Sequence, residues 1–445
     1  MLRFLGQTLL VALLAMHCAA QSPVVPAGSR FVMSHFMGNN GGGDERLYIS
    51  VSADGLHWTA LNNGNPVWQP DGWAGFVNVV RDPAIIYENG QYWVAYTSGN
   101  YGKHASFGLV KSADLLHWSF VGEISTAIAG ATDPLTWNPT FFRDGDGAVH
   151  LFISISPING TTYNPQPAMR SYELHPLAAD WSQWSVPALV MLPSTNTNEF
   201  WAWKEGDTYH GIYIDYSQPY LGNWFHVTSS GLLSGWAISQ RLGFTTHEGG
   251  MLIKKPAGGY RLFFEPGNGA SPPGYRYADC ENSFSGFTPT QTVTSEVPMR
   301  NGKMTALVAT TSYSSWQTEK LNSLPQFDQI PGADPDRDGL ANLLEYACDQ
   351  NPTTRDTTGT PQCTVITSGS AQYLGMSFRR LPQAAGLMLA LEASSDLATW
   401  DASAGAVVSC SMTLLTDGAE WVQARDAIAV EAAPRRFLRL RALAR

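Results

Sequence analysis

The chain has 445 residues and a formal net charge of −10, which is length enough for two or three domains with large cores. Charged residues make up only 14%, while Gly (42), Tyr (17) and Trp (15) are abundant, as suits many short strands and turns. The acidic balance argues against nucleic acid or an anionic membrane surface as partner and leaves a neutral ligand such as a glycan.

Met1-Leu2-Arg3 followed by Leu9 to Leu14 reads as a secretory signal peptide, one positive charge ahead of a short apolar core. Cys18-Ala19-Ala20 supplies small residues for cleavage, so the leader is assigned to residues 1–20. A lipoprotein reading through Cys18 competes, but Met16 and His17 sit poorly in a lipobox. No other run is long enough to span a membrane. The expectation is a secreted, periplasmic or cell-surface protein, monomeric, without a membrane span. Cys280, Cys348, Cys363 and Cys410 would remain, and an oxidising compartment permits disulfides among them. Four cysteines allow three pairings, of which Cys348 with Cys363 is the local one.

Phe31–Phe36 and Arg46–Val51 read as strands, ending in Ser52-Ala53-Asp54-Gly55-Leu56-His57-Trp58. Ser112-Ala113-Asp114-Leu115-Leu116-His117-Trp118 repeats that ending almost residue for residue, and Ser229 to Trp236 is a worn copy. The motif reads as a turn capped by Ser or Asp with its Trp buried between repeats. Between the first two copies stands Arg81-Asp82-Pro83-Ala84-Ile85-Ile86-Tyr87, then Asn89-Gly90 and the aromatic run Tyr92 to Tyr96. This is a strand, a hairpin turn and a second strand.

The hairpin returns at Trp137-Asn138-Pro139, at Glu199-Phe200-Trp201 and at Glu248-Gly249-Gly250, each followed by a Gly-containing turn and an aromatic strand. A weaker fifth copy begins at Asn301-Gly302. Spacings of roughly 50–60 residues are of the kind that propeller blades show. Four short strands per unit, arranged radially, make an all-β propeller whose first strands line a central channel. Five blades over residues 28–316 follow, the last one composite. Its inner strand is Lys303 to Val308 and its outer strands come from Phe31 to Trp58, so the two ends of the propeller close the ring and remove an exposed sheet edge.

Residues 328–356 form a linker, in which Asp334, Asp336 and Asp338 occupy positions 1, 3 and 5 of a twelve-residue loop. Gly339 follows at 6, Leu340 at 7 (through its carbonyl), Asn342 at 9 and Glu345 at 12, the spacing of a calcium loop. A structural calcium ion is expected there, stiffening a joint; the competing reading is an Asp-rich helix start. Residues 360–445 alternate as short strands and read as a small β-sandwich. Within it, Ser394-Ser395-Asp396-Leu397-Ala398-Thr399-Trp400 echoes the propeller turn.

The polar heads of the five inner strands, Asp82, Asn138, Glu199, Glu248 and Asn301, should gather about one axis. Three of them are acidic. Glycoside hydrolysis needs one carboxylic acid to protonate the leaving oxygen and a second carboxylate across the bond; for inversion the two stand ~6.5–9.5 Å apart. A third carboxylate beside the acid raises its pKa by like-charge repulsion. Arg81, Asn138, His247 and Arg300 flank these heads, and Phe36, Trp137 and Trp201 offer flat rings to a sugar face. Each acid also has a structural reading: Asp82 capping the turn before Pro83, Glu199 paired with Arg300 or Arg81.

On Arg81-Asp82-Pro83, Trp137-Asn138-Pro139 and His247-Glu248-Gly249-Gly250 ahead of Lys254, the region from Phe31 to Val308 resembles glycoside hydrolase family 43. That resemblance implies a five-bladed propeller hydrolysing arabinofuranosyl, xylosyl or galactosyl linkages with inversion. It also implies Asp82 as general base, Glu248 as general acid, and Glu199 as the pKa modulator, where the family usually has Asp. Arg300-Asn301-Gly302 stands where the family often has Arg-His-Gly, so no cofactor and no central metal is expected in catalysis. The rival reading is a glycan-binding propeller without activity. A sialidase-like propeller needs three arginines, and the strand heads offer only Arg81 and Arg300.

Overall fold

Asn89 and Gly90 take φ of 50° and 80°, the left-handed pair that turns strand Arg81–Glu88 back onto Gln91–Thr97. The same device builds the rest of the chain in a computed structural model. It describes residues 25–38, 44–74, 78–99, 105–131, 134–157, 168–217, 222–245, 247–266, 274–308, 312–356, 358–382, 387–403, 405–433 and 435–444. The expected leader lies outside these residues.

Four sheets follow the chain, each with its strands in sequence order. Blade 1 runs from Arg81 to Ser125, blade 2 from Leu135 to Leu189, blade 3 from Thr197 to Thr245 and blade 4 from His247 to Thr292. Blade 5 is composite: Arg300–Ala306 pairs with Phe31–Phe36, followed outward by Tyr48–Ser52, His57–Ala60 and the parallel strand Thr294–Ser295. The first strands of the five blades pack side by side in a closed ring, the Arg300–Ala306 strand meeting Arg81–Glu88. Apolar clusters fill the gaps between blades. Phe31, Met251 and Phe263 share one, and Phe142, Phe200 and Tyr213 another. The inner strand of this sheet is Arg300–Ala306, three residues earlier at its start than the expected Lys303 to Val308.

The Ser-x-Asp turns are superimposable in their bonding. Ser52 Oγ accepts from the Asp54 and Gly55 amides, Asp54 Oδ1 accepts from those of Leu56 and His57, and Trp58 Nε1 donates to the Gly55 carbonyl. Ser112, Asp114 and Trp118 reproduce every bond, as do Ser394, Asp396 and Trp400 in the C-terminal part. The residue after each Asp has positive φ (Gly55 73°, Leu115 69°, Leu397 63°).

After the ring, helix α1 (Tyr313–Leu321) carries Trp316, which packs on Tyr346 of helix α2 (Asn342–Cys348) and not on a blade. A four-stranded sheet (Gln362–Ser368, Ala371–Arg380, Glu420–Ala429, Val407–Leu414) and a two-stranded one (Leu387–Ser394 with Phe437–Ala444) follow. Phe378 and Val422 from the first meet Leu391 and Leu438 from the second, so the two sheets sandwich a core. This sandwich docks on the end of the ring opposite the inner-strand heads. Leu415 bridges Lys254, and a cavity of about 380 Å³ separates Ser411, Met412 and Leu414 from Ile86, Phe141, Trp201 and Met304.

The four cysteines are free thiols. The pairing of Cys348 with Cys363 is therefore not formed: Cys348 is buried at the end of α2, while Cys363 faces solvent on the edge strand of the sandwich.

Candidate active site

Each inner strand breaks its ladder near its first residues. The register slips between Arg81 and Ala84, Trp137 and Thr140, Asn198 and Trp201, and Glu248 and Met251. At each break one residue is left-handed: Asp82 (φ 49°), Asn138 (53°), Glu199 (54°) and Gly249 (69°), joined by Asn301 (38°) in blade 5. A bulge re-aims the side chain that sits on it, and non-glycine residues held there cost of order 1 kcal/mol each. Four of the five expected heads thus occupy equivalent positions. The fifth needs correction, because in blade 4 the equivalent is Gly249. Glu248 stands one residue earlier, alongside Arg81, Trp137, Asn198 and Arg300 of the other blades.

The hub is organised by the Asn301 amide. Its Nδ2 donates to Asp82 Oδ1 at 2.7 Å and to Glu199 Oε1 at 3.4 Å. Asp82 and Glu199, from different blades, therefore meet on one nitrogen. Asp82 Oδ2 accepts from the Thr97 hydroxyl, which in turn accepts the Asn138 amide. Glu199 Oε2 accepts from the Gly249 and Gly250 amides at 2.5 and 3.2 Å. The glycines make this approach possible. A Cβ on Gly249 would lie 2.9 Å from Tyr275 Oη and 3.1 Å from Asn301 Oδ1, and one on Gly250 would lie 1.8 Å from Trp224 Cη2.

Asp82 and Glu199 are 4% and 2% exposed, whereas the Glu248 side chain is 31% exposed, with Oε2 3.7 Å from Arg300 Nη2. Burial raises the Glu248 pKa and so does Asp82; Arg300 and Arg81 oppose the rise. Burial likewise raises Glu199, helped by Glu248 and Asp82 and resisted by Lys303. Lys303, 3% exposed, is the cation of the hub, its own pKa lowered by burial against the pull of Glu199, Asp82 and Glu265. Glu199 is not paired with Arg300 or Arg81 as its structural reading held, since Arg300 Nε binds Glu265 Oε1 at 2.5 Å and Arg81 Nε faces Glu45 at 3.6 Å.

The remaining candidates divide. Phe36, Arg81, Trp137 and Arg300 come together, the Arg81 guanidinium 5.5 Å from the Phe36 ring centre and 6.0 Å from that of Trp137, and Arg300 5.8 Å from Phe36. His247 packs edge-on against Phe264 and Phe244. Trp201 is a correction: two residues past Glu199 it lies down the strand, lining the cavity above the sandwich and packing into the blade cores. Trp224 is fully buried under Gly250. Lys303, Glu265, Glu45 and Thr97 were missed. Glu265 had a signal, for it closes the aromatic strand Tyr260–Pro266 directly opposite Glu248, as Thr97 closes its own hairpin. Lys303 had one too, being a charge two residues past Asn301 on an inner strand that the closed ring must bury.

A family model described as a "probable glycosyl hydrolase domain", related to glycoside hydrolase family 43, matches residues 28–255, a stretch containing Asp82, Glu199 and Glu248. The chain belongs to this family. No curated protein matches it. Among solved structures it is similar to a family 43 β-1,3-galactosidase (12% identity, 57% of this chain and 55% of that one, TM-score 0.43), so it spans about half of that enzyme's length. It is also similar to an endo-arabinase from Bacteroides thetaiotaomicron (12% identity, 56% and 93%, TM-score 0.43). A third is an α-L-arabinofuranosidase from Clostridium thermocellum (15% identity, 63% and 94%, TM-score 0.43).

Proposed function

We propose that the protein is a secreted, inverting glycoside hydrolase acting on arabinofuranosyl, xylosyl or galactosyl linkages of polysaccharides, with Asp82 as base, Glu248 as acid and Glu199 as modulator. The observation that carries this reading is the convergence of Asp82 and Glu199 on the Asn301 amide, with Glu248 joined to the same cluster through Gly249. Both oxygens of Asp82 accept hydrogen bonds, which holds the carboxylate in one orientation, as suits a base that takes a proton from water. Glu248 is the most exposed of the three and its pKa is raised, which suits an acid that must hold a proton near neutrality and reach a leaving oxygen. Glu199, fixed by two backbone amides, stands beside that acid without reaching solvent, and any charge it takes on opposes ionisation of the acid.

The balance is simple. Water gives a proton to Asp82 as its oxygen bonds to the anomeric carbon; Glu248 gives its proton to the departing glycosidic oxygen, and a return of both protons through solvent resets the site. The test is a panel of arabinan, xylan and galactan fragments and their aryl glycosides, with product anomers read by NMR. Inverted product, lost about 10²–10⁴-fold in Glu248→Gln, supports the assignment. The alkaline limb of kcat/KM should lie above the ordinary carboxylate range, because activity falls as pH rises through the raised pKa of the acid, and Glu248→Gln should abolish that limb. Retained configuration would overturn the roles. Glycan binding without turnover would instead favour a catalytically inactive binding propeller.

A further inference from the structure

The loop 334–345 lies far from the hub and takes no part in the reaction just described. One carboxylate oxygen from each of Asp334, Asp336 and Asp338 lies within 4.8 Å of the other two. Oxygens on opposite sides of a calcium ion, each ~2.4 Å from it, stand about that far apart. An acidic cluster is common without an ion, so the decisive observation is a different one. Glu345 is 0% exposed and neither of its oxygens has a hydrogen-bond partner. Asn342 is equally buried; its Nδ2 donates to the Asp328 and Ile330 carbonyls at 2.8 Å each, and its Oδ1 is left without a donor. Asp336 Oδ2 is a fourth orphan. Among the described residues, five buried carboxylate or amide oxygens lack a donor, and four of them are in this one loop.

Leaving a buried acceptor unsatisfied is costly, and a charged one more so, so four together describe a space meant for something that accepts nothing and attracts oxygen. Glu345 stands at position 12 of the same loop, in the first turn of α2. From beyond the loop, the Asp356 backbone amide donates to Asp338 Oδ2 at 3.4 Å.

We propose that this loop binds one calcium ion through Asp334, Asp336, Asp338, the Leu340 carbonyl, Asn342 and Glu345, and that the ion fixes the joint between propeller and sandwich. Four carboxylates and two neutral oxygens suit a hard cation of high coordination number; magnesium, which wants six near-ideal ligands and keeps its waters, fits less well. The link to the joint runs through α2. Its last turn leads into Asp349, left-handed at φ 53°, whose carboxylate binds Arg30, just ahead of the first blade-5 strand, and Arg379 in the sandwich. Glu345 and Asp349 are one helical turn apart, so the ion sets the helix that ties both bodies. The proposal is independent of the roles given to Asp82, Glu199 and Glu248.

Full-length protein stripped with chelator is titrated with calcium chloride by calorimetry, and its thermal unfolding is followed with and without the ion. Saturable binding of one ion is expected, with a Tm several degrees higher at saturation and magnesium at least ~10-fold weaker. Glu345→Gln and Asp336→Asn should each weaken calcium at least ~10-fold. Absence of saturable binding to the wild type overturns the proposal, as does unchanged affinity in both variants. Two variants guard against one that fails to fold: the half-buried Asp336 carries the comparison if buried Glu345→Gln cannot be purified.

Discussion

Lys303 decides how the hub can hold so many acids. Asp82, Glu199, Glu248 and Glu265 share it with Arg300, Arg81 and this lysine, and Lys303, 3% exposed, reaches Asn301 Oδ1 at 3.5 Å. Removing one member of a buried charged set costs roughly 3–5 kcal/mol, because the partners are left uncompensated. Lys303→Met should therefore lower stability, and the loss should depend on pH. Glu199 has a raised pKa, so its burial is least costly where it is protonated: its contribution is full below the unfolded pKa and declines as pH rises through the folded one. Without Lys303 that pKa rises further, so the two proteins lose stability in parallel up to the wild-type value of about 8, and the deficit against wild type should widen from about pH 8 upward in urea-unfolding midpoints. A deficit constant with pH would mean that Lys303 contributes packing and not charge. The kcat of Lys303→Met should also fall, on the order of 10²-fold, with KM little changed, since the lysine is buried and not beside a sugar. Sequence reading passed over this residue because a lysine in a strand is ordinarily an exposed one; only the closed ring buries it.

At the scale of the strand and its turn, the sequence was most legible where a backbone bond pattern demands particular side chains. Ser-x-Asp followed four residues after the Asp by Trp was readable as a capped turn at 52–58 and 112–118, and the copy at 394–400 has the same bonds although it sits in another fold. The Asp180 to Trp184 segment was missed, yet Trp184 Nε1 donates to the Trp181 carbonyl and Trp181 is left-handed (φ 56°). Without the leading Ser, the pattern did not stand out. The hub heads were legible in four blades and one residue out in the fourth, since Glu248-Gly249 looks like a polar head followed by a spacer. The bulge instead puts the glycine at the head so that Glu199 can reach its amide. Gly249→Ala tests that account. At φ 69°, with a Cβ 2.9 Å from Tyr275 Oη, alanine suffers both strain and overpacking and should cost ~2–4 kcal/mol. Activity should drop more than the stability loss explains, because the Glu199 to Gly249 hydrogen bond opens. Full activity in a folded Gly249→Ala would mean that the approach of Glu199 to this backbone has no part in catalysis.

For the molecule as a whole, the sandwich is joined to the ring by few but specific contacts, and their placement could not be read from the sequence. Arg30 and Arg379 are 349 positions apart in the chain, and nothing local marks them as sharing Asp349. The backbone adds a bond from the Thr416 amide to the Lys254 carbonyl, and Gly145 presses against the Cys410 carbonyl where a Cβ would come within 2.6 Å. These contacts seat the sandwich over the far end of the channel, behind Trp201 and Met304, so the acids lie at the end it leaves uncovered. If the Asp349 pairs hold the two bodies together, they should unfold as one cooperative unit. Asp349→Asn keeps a residue that tolerates the left-handed backbone while removing the charge bound by both arginines. Calorimetry of the wild type should show one transition; the variant should show two, the lower one belonging to the sandwich and its helices. A single transition moved down in temperature would place the coupling in the apolar contacts around Leu414 and Leu415, and the ion pairs would then be incidental to the joint.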